Sequence, residues 1–78
     1  MSEKNYRKIR CKNRFGLSCR WTIGPAPDGG FKIVGLGAAK LRGQAVPLDF
    51  IPFELSNEVY NGPILETLDA VERHVRSL

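Results

Sequence analysis

Few side chains in this 78-residue chain are suited to covalent or metal chemistry, and they do not combine. Cys11, Cys19 and the single His74 leave a tetrahedral zinc site one ligand short. C-x7-C is also not the tight pair spacing of structural zinc motifs. Asp49 and Glu54 lie five residues apart, so on a strand they would point to opposite faces and could not act as a paired acid and base. The run GLGAAKLRG lacks the strand, G-x4-G-K-[ST], helix order of a phosphate loop. His74 has no recognisable nucleophile motif to serve and reads as a histidine on a helix flank, near the negative end of the helix dipole. Nothing assembles a nucleophile, a base and oxyanion donors, so the sequence predicts a protein that is not an enzyme, with no catalytic residue, no cofactor and no metal.

The basic residues are a different matter. Ten basic residues stand against two acidic ones up to Arg42, and two against six after it, so a first half of +8 is followed by a second half of −4. Such polarity suggests an anionic partner for the first half, or two contact surfaces of opposite charge; the bland reading is that both are solvated faces.

The element that must position those charges is a β-hairpin over Asn5 to Ile23. Leu17, Cys19, Trp21 and Ile23 alternate with Ser18, Arg20 and Thr22, and Ile9 and Cys11 alternate with Tyr6, Lys8, Arg10 and Lys12. If Arg14, Phe15 and Gly16 form a three-residue loop with Gly16 left-handed, Cys11 faces Cys19 and Ile9 faces Trp21 on an apolar side. Lys12 then faces Ser18, Arg10 faces Arg20 and Lys8 faces Thr22 on a polar side. A cross-strand disulfide is geometrically open to the two cysteines; in a reducing compartment the expectation is two free thiols packed as small apolar groups.

Gly24 to Gly30 is a turn-rich connection, and a third strand is expected from Phe31 to about Leu36. Phe31 and Ile33 would continue the core face, leaving Lys32, Val34 and Leu36 on the outer one, with Gly35 and Gly37 marking a bulge, a bend or a close backbone approach. Residues 37–47 read as a loop with room for one helical turn. Val46 to Leu55, interrupted by Pro47 and Pro52, is expected to be a fourth, irregular strand. Gly62-Pro63 opens a helix over 63–77 whose stripe is Ile64, Leu68, Val71, Val75 and Leu78, with Asp69–Arg73 and Glu72–Arg76 as i,i+4 pairs. The expected fold is α+β: a small antiparallel sheet of three to four strands in β-β-β-β-α order with one C-terminal helix packed on one face. It forms a single domain over 1–78, with a sheet in 5–55 and a frayed terminus at 1–4.

No apolar run reaches the roughly 20 residues needed to span a bilayer, and the charged start MSEKNYRKIR has no apolar stretch behind it, so the expectation is a cytoplasmic protein without a membrane partner, acting in a host cytoplasm if phage-encoded. The leading functional reading is a non-catalytic binding module whose basic hairpin face docks nucleic acid or a nucleoprotein complex. Lys8, Arg10, Lys12, Arg14, Arg20 and Lys32 supply charge, and Tyr6 and Phe15 supply shape and stacking. Val34 and Leu36, exposed beside Lys32, would form an apolar patch with a basic rim, suited to a protein partner or to self-association, and the chain is expected to be a monomer or a small homo-oligomer. The alternative reading is a small inhibitor or adaptor of the type phages and mobile elements encode, anti-CRISPR-like, that binds a host protein complex by surface complementarity.

Overall fold

The hairpin turn fixes the register of everything that follows. In the computed structural model, which describes residues 5–78, Gly16 takes a left-handed φ of 82° and donates its N–H to the Asn13 carbonyl. The Asn13 side chain completes the turn: its Oδ1 accepts from the N–H groups of Phe15 at 2.9 Å and Leu17 at 3.3 Å. Strand β1 (Arg7–Lys12) therefore pairs with β2 (Ser18–Pro25) in the register expected from the turn, with Ile9 opposite Trp21, Arg10 opposite Arg20 and Cys11 opposite Cys19. The frayed terminus expected at 1–4 lies outside the described residues.

Strand β3 (Phe31–Leu41) is nearly twice the expected length and absorbs the segment read as a loop. Its pairing with β2 slips twice. Ile33 faces Ile23, Gly35 faces Thr22, Leu36 faces Trp21 and Ala39 faces Cys19, so β3 carries one extra residue at each of two bulges. The core-facing positions become Phe31, Ile33, Leu36 and Ala39, spaced two, three and three. That spacing is not the alternation of a flat strand, and it is close enough to helical spacing to hide the strand in the sequence. A two-residue turn at Arg42-Gly43, both at positive φ (53° and 83°), returns the chain to β4 (Gln44–Ala45). These are the signs that a hairpin turn matching the strand twist requires, supplied here by arginine where asparagine or glycine is usual. The four strands form one antiparallel meander in the order β1-β2-β3-β4.

The expected fourth strand over Val46–Leu55 is corrected. The two prolines start helical turns instead of interrupting a strand: Pro47 leads into a 3-10 turn over Leu48–Phe50, and Pro52 caps helix α1 (Phe53–Asn61). Proline suits such starts because the N–H it lacks would be unsatisfied there. Leu55 and Val59, four apart, turn α1 onto the sheet. The C-terminal helix is also shorter than expected. Helix α2 (Leu68–Arg76) begins at Thr67, whose Oγ1 accepts the Ala70 N–H at 3.0 Å. The segment before it is extended, because Leu65 exchanges two backbone hydrogen bonds with Phe31 at 2.7 and 2.8 Å, and Ile64 projects outward instead of joining the helix stripe.

Both helices lie against one face of the sheet. The core comprises Ile9, Leu17, Cys19, Trp21, Ile23, Ile33 and Ala39 from the sheet side, Ile51 and Leu55 from the α1 region, and Val71 and Val75 from α2. Each large side chain closed off in this way contributes about 1.5–3 kcal/mol. Trp21 is wholly buried, and among the described residues its Nε1 has no hydrogen-bond partner, a cost of about 1–3 kcal/mol. Its ring area outweighs that loss. Polar contacts tie the layers together. Arg7 reaches from β1 to Asp69 at 2.7 Å and Glu72 at 2.8 Å on α2, and His74 Nε2 lies 2.8 Å from Glu58 Oε1 on α1. Among the described residues Asp69 pairs with Arg7 in place of the expected Arg73, whereas the Glu72–Arg76 pair forms as expected.

Candidate functional site

On the sheet face turned away from the helices, β1 presents Lys8, Arg10 and Lys12, and β2 presents Ser18, Arg20 and Thr22. Lys8, Arg10, Lys12 and Arg20 are exposed, and β3 adds exposed Lys40, directly opposite Ser18. The sequence reading missed Lys40 because it placed that residue in a loop; its signal is the pairing of β3 beyond the second bulge. Among the described residues none of these five basic side chains is in an ion pair. Arg10 opposite Arg20 is a like-charge cross-strand pair, which destabilises a sheet. The six acidic residues of the second half do not relieve it. Asp69 and Glu72 are engaged by Arg7, which points to the helix side, and Glu58 is engaged by His74.

The face is low and grooved. Where two β3 residues oppose Arg20, they are Gly37 and Ala38, both small and exposed. A depression of about 60 Å³ is lined by Arg10, Ser18, Arg20, Ala38 and Lys40, and a broader one of about 400 Å³ by Lys8, Arg10 and Arg20. Arg10 and Arg20 are thus the shared wall of both. From Lys8 to Lys12 the basic row runs about 13 Å at the usual strand rise. Tyr6 closes one end of the row, its ring packed against Gly24, where a Cβ would collide with it.

Several of the expected site residues are placed elsewhere. Lys32 is not part of the open row: its Nζ donates to the Val59 carbonyl at 2.7 Å and the Ile33 carbonyl at 2.8 Å. It caps the last turn of α1, whose carbonyls lack helical partners. Leu36 is not on the outer face. The first bulge switches its parity, so it sits opposite Trp21 and packs on the core. Val34 is the extra residue of that bulge and is half-buried, so the expected Val34–Leu36 patch does not form. Arg14 and Phe15 sit together at the hairpin tip, the guanidinium 4.8 Å from the ring centroid, while the Arg14 N–H donates to the Leu78 carbonyl at 3.2 Å. Tyr6, Lys8, Arg10, Lys12 and Arg20 remain as one continuous surface.

The thiols belong to the opposite side of the same strands. Cys19 is fully buried and accepts a 3.4 Å contact from Asn13 Nδ2, and the Cys11 thiol points at the Val75 carbonyl 4.0 Å away. Burial pushes both thiols above their ordinary pKa, which disfavours thiolate chemistry at neutral pH. Among the described residues no three histidine, cysteine or acidic side chains gather to hold a metal, and no helix is long and apolar enough to cross a membrane. Comparison of the chain with protein-family models, with curated proteins and with solved structures finds no match.

Proposed function

We propose that the open sheet face binds the phosphate backbone of nucleic acid, alone or within a nucleoprotein complex, without catalysis. The observation that carries this reading is the Arg10–Arg20 pair. It sets two guanidinium groups across from one another, with Lys8, Lys12 and Lys40 around them and no carboxylate among the described residues to offset them. An arrangement that costs the sheet stability is accounted for if an anion neutralises it from outside. Guanidinium forks suit phosphate, and Ser18 and Thr22 add neutral donors between the charges. Stacking support is confined to Tyr6, at the end of the row, so the face suits backbone contacts that do not depend on base sequence.

Five phosphate contacts set the expected salt dependence. The slope of log K against log salt should be near −4.5 on duplex DNA or about −3.5 on a single strand. The double variant Arg10→Ala/Arg20→Ala should reduce that slope by about two units and weaken binding alike on unrelated sequences. Absence of binding to either strand form at about 50 mM salt, or a slope the double variant leaves unchanged, would overturn the reading.

A further inference from the structure

Among the described residues the largest apolar exposure lies on the other layer, in the segment between β4 and the end of α1. Leu48, Phe50, Phe53 and Tyr60 are 73–78% exposed. One exposed apolar residue needs no explanation, but four large ones within a short segment of so small a protein do. Folding does not use them, because Ile51, Leu55 and Val59 of the same segment already face the sheet. Phe53 and Tyr60 are seven apart on α1 and so share one helical face. Beside Tyr60 a groove of about 290 Å³ has Leu36, Ile51 and Val59 among its lining residues and Leu48 at its side. That volume is at the lower end of small-molecule sites and suits a single large apolar side chain.

Charge decides what kind of partner fits. From Gly43 to Glu72 the chain holds six carboxylates and no lysine or arginine. Asp49 and Glu54 stand exposed next to Leu48, Phe50 and Phe53, and among the described residues neither is in an ion pair. A two-fold pairing of this surface with its own copy would bring these carboxylates against each other, since the same patch meets itself in such an interface. Among the described residues the chain's own basic sheet face has only Tyr6 as a large apolar group to offer the groove, and the Phe15 ring at the hairpin tip is covered by its own Arg14 guanidinium. An anionic bilayer would be repelled by the acidic residues.

We propose that the surface of Leu48, Phe50, Phe53 and Tyr60 docks a segment of another protein that inserts an aromatic or aliphatic anchor into the groove and flanks it with lysine or arginine. The anchor supplies affinity by leaving water, and the flanking charges supply orientation and a faster encounter. This surface is separate from the basic sheet face, and its occupancy is independent of what that face binds.

The test is selection of displayed random peptides of about 12 residues against the full chain, followed by affinity measurement on the enriched sequences. The expected winners combine a Trp, Phe or Leu with flanking Lys or Arg. They lose at least about tenfold in affinity on Leu48→Ser/Tyr60→Ser, and they bind Arg10→Ala/Arg20→Ala as they bind the original chain. Both residues of the first pair are exposed, so that variant should keep its thermal midpoint. Enrichment of acidic or uncharged peptides, of peptides indifferent to Leu48→Ser/Tyr60→Ser, or of none would overturn the proposal. So would a concentration-dependent dimer that Leu48→Ser/Tyr60→Ser dissolves, which would make a second copy the occupant.

Discussion

The two faces of the β1–β2 hairpin are built from the same strands and obey opposite rules. Toward the helices, Ile9, Cys19, Trp21 and Ile23 are closed off beneath Leu55, Val71 and Val75. Away from them, Lys8, Arg10, Lys12 and Arg20 stand in water with a like-charge pair at the centre. The inner face accounts for folding without help from the outer one. The outer face detracts slightly from folding through its like-charge pair, a cost that the proposed anionic partner would offset. In a chain too short to bury more than about 60% of its unfolded surface, tolerating such a pair takes a noticeable share of a thin stability margin.

The sharpest way to break this comparison is through its largest side chain. Trp21→Ala should cost about 3–5 kcal/mol, enough to leave much of the chain unfolded at room temperature. A urea midpoint that barely moved would mean that the inner face is not the source of stability. Smaller in effect is the acid limb of the stability curve. Hydrogen bonds from the Arg7 guanidinium hold the Asp69 and Glu72 carboxyls below the usual carboxylate range, Arg76 adding to the effect on Glu72. Their folded values lie beneath their unfolded ones, so this stabilisation is present above about pH 4.5 and is lost as pH falls through the folded values. Arg7→Met should flatten that limb in urea titrations at a series of pH values, and an unchanged limb would show that the Arg7 cluster is idle.

The smallest effect is the most telling, because it changes sign between the two faces. Arg20→Thr removes one member of the like-charge pair and introduces a good strand former. It should raise stability by about 0.2–1 kcal/mol in thermal unfolding while weakening nucleic-acid binding. Loss of stability in Arg20→Thr would show that the outer face belongs to the fold after all.

How much of this was legible depended on how local the signal was. The hairpin register followed from Gly16 and the alternation around it, since turn chemistry and hydrophobic period pointed the same way. Most of the basic row came with it. The segment from Gly35 to Leu65 was not legible for three separate reasons. The bulges replaced strand alternation by a spacing that resembles a helix, which hid Lys40 and misplaced Leu36. Pro47 and Pro52 were read as breaks in a strand, although proline begins helices as readily as it ends strands. Pro63 was read as a helix start, but the Phe31–Leu65 bridge keeps that stretch extended, and a contact across so many residues leaves no local trace. The exposed Leu48, Phe50 and Phe53 were invisible for the second of these reasons, because an apolar run assigned to a strand is assumed to be buried.

The two bulges of β3 also bear on how this chain can change length. A residue added to or removed from a loop shifts nothing but the loop, yet in the regular stretches of β3 it would exchange inside and outside for every position beyond it. The bulges are the exception. Losing Val34 would let Gly35 follow Ile33 directly, as Thr22 precedes Ile23 on the partner strand, and Leu36 would still face Trp21. Losing one residue of the Gly37–Ala38 step would likewise keep Ala39 opposite Cys19 while erasing that step beside Arg20. Descendants of this sequence should therefore vary in length at the turns around Pro27 and Gly43 and at the two bulges, and hold their count through the regular stretches of β3 between them.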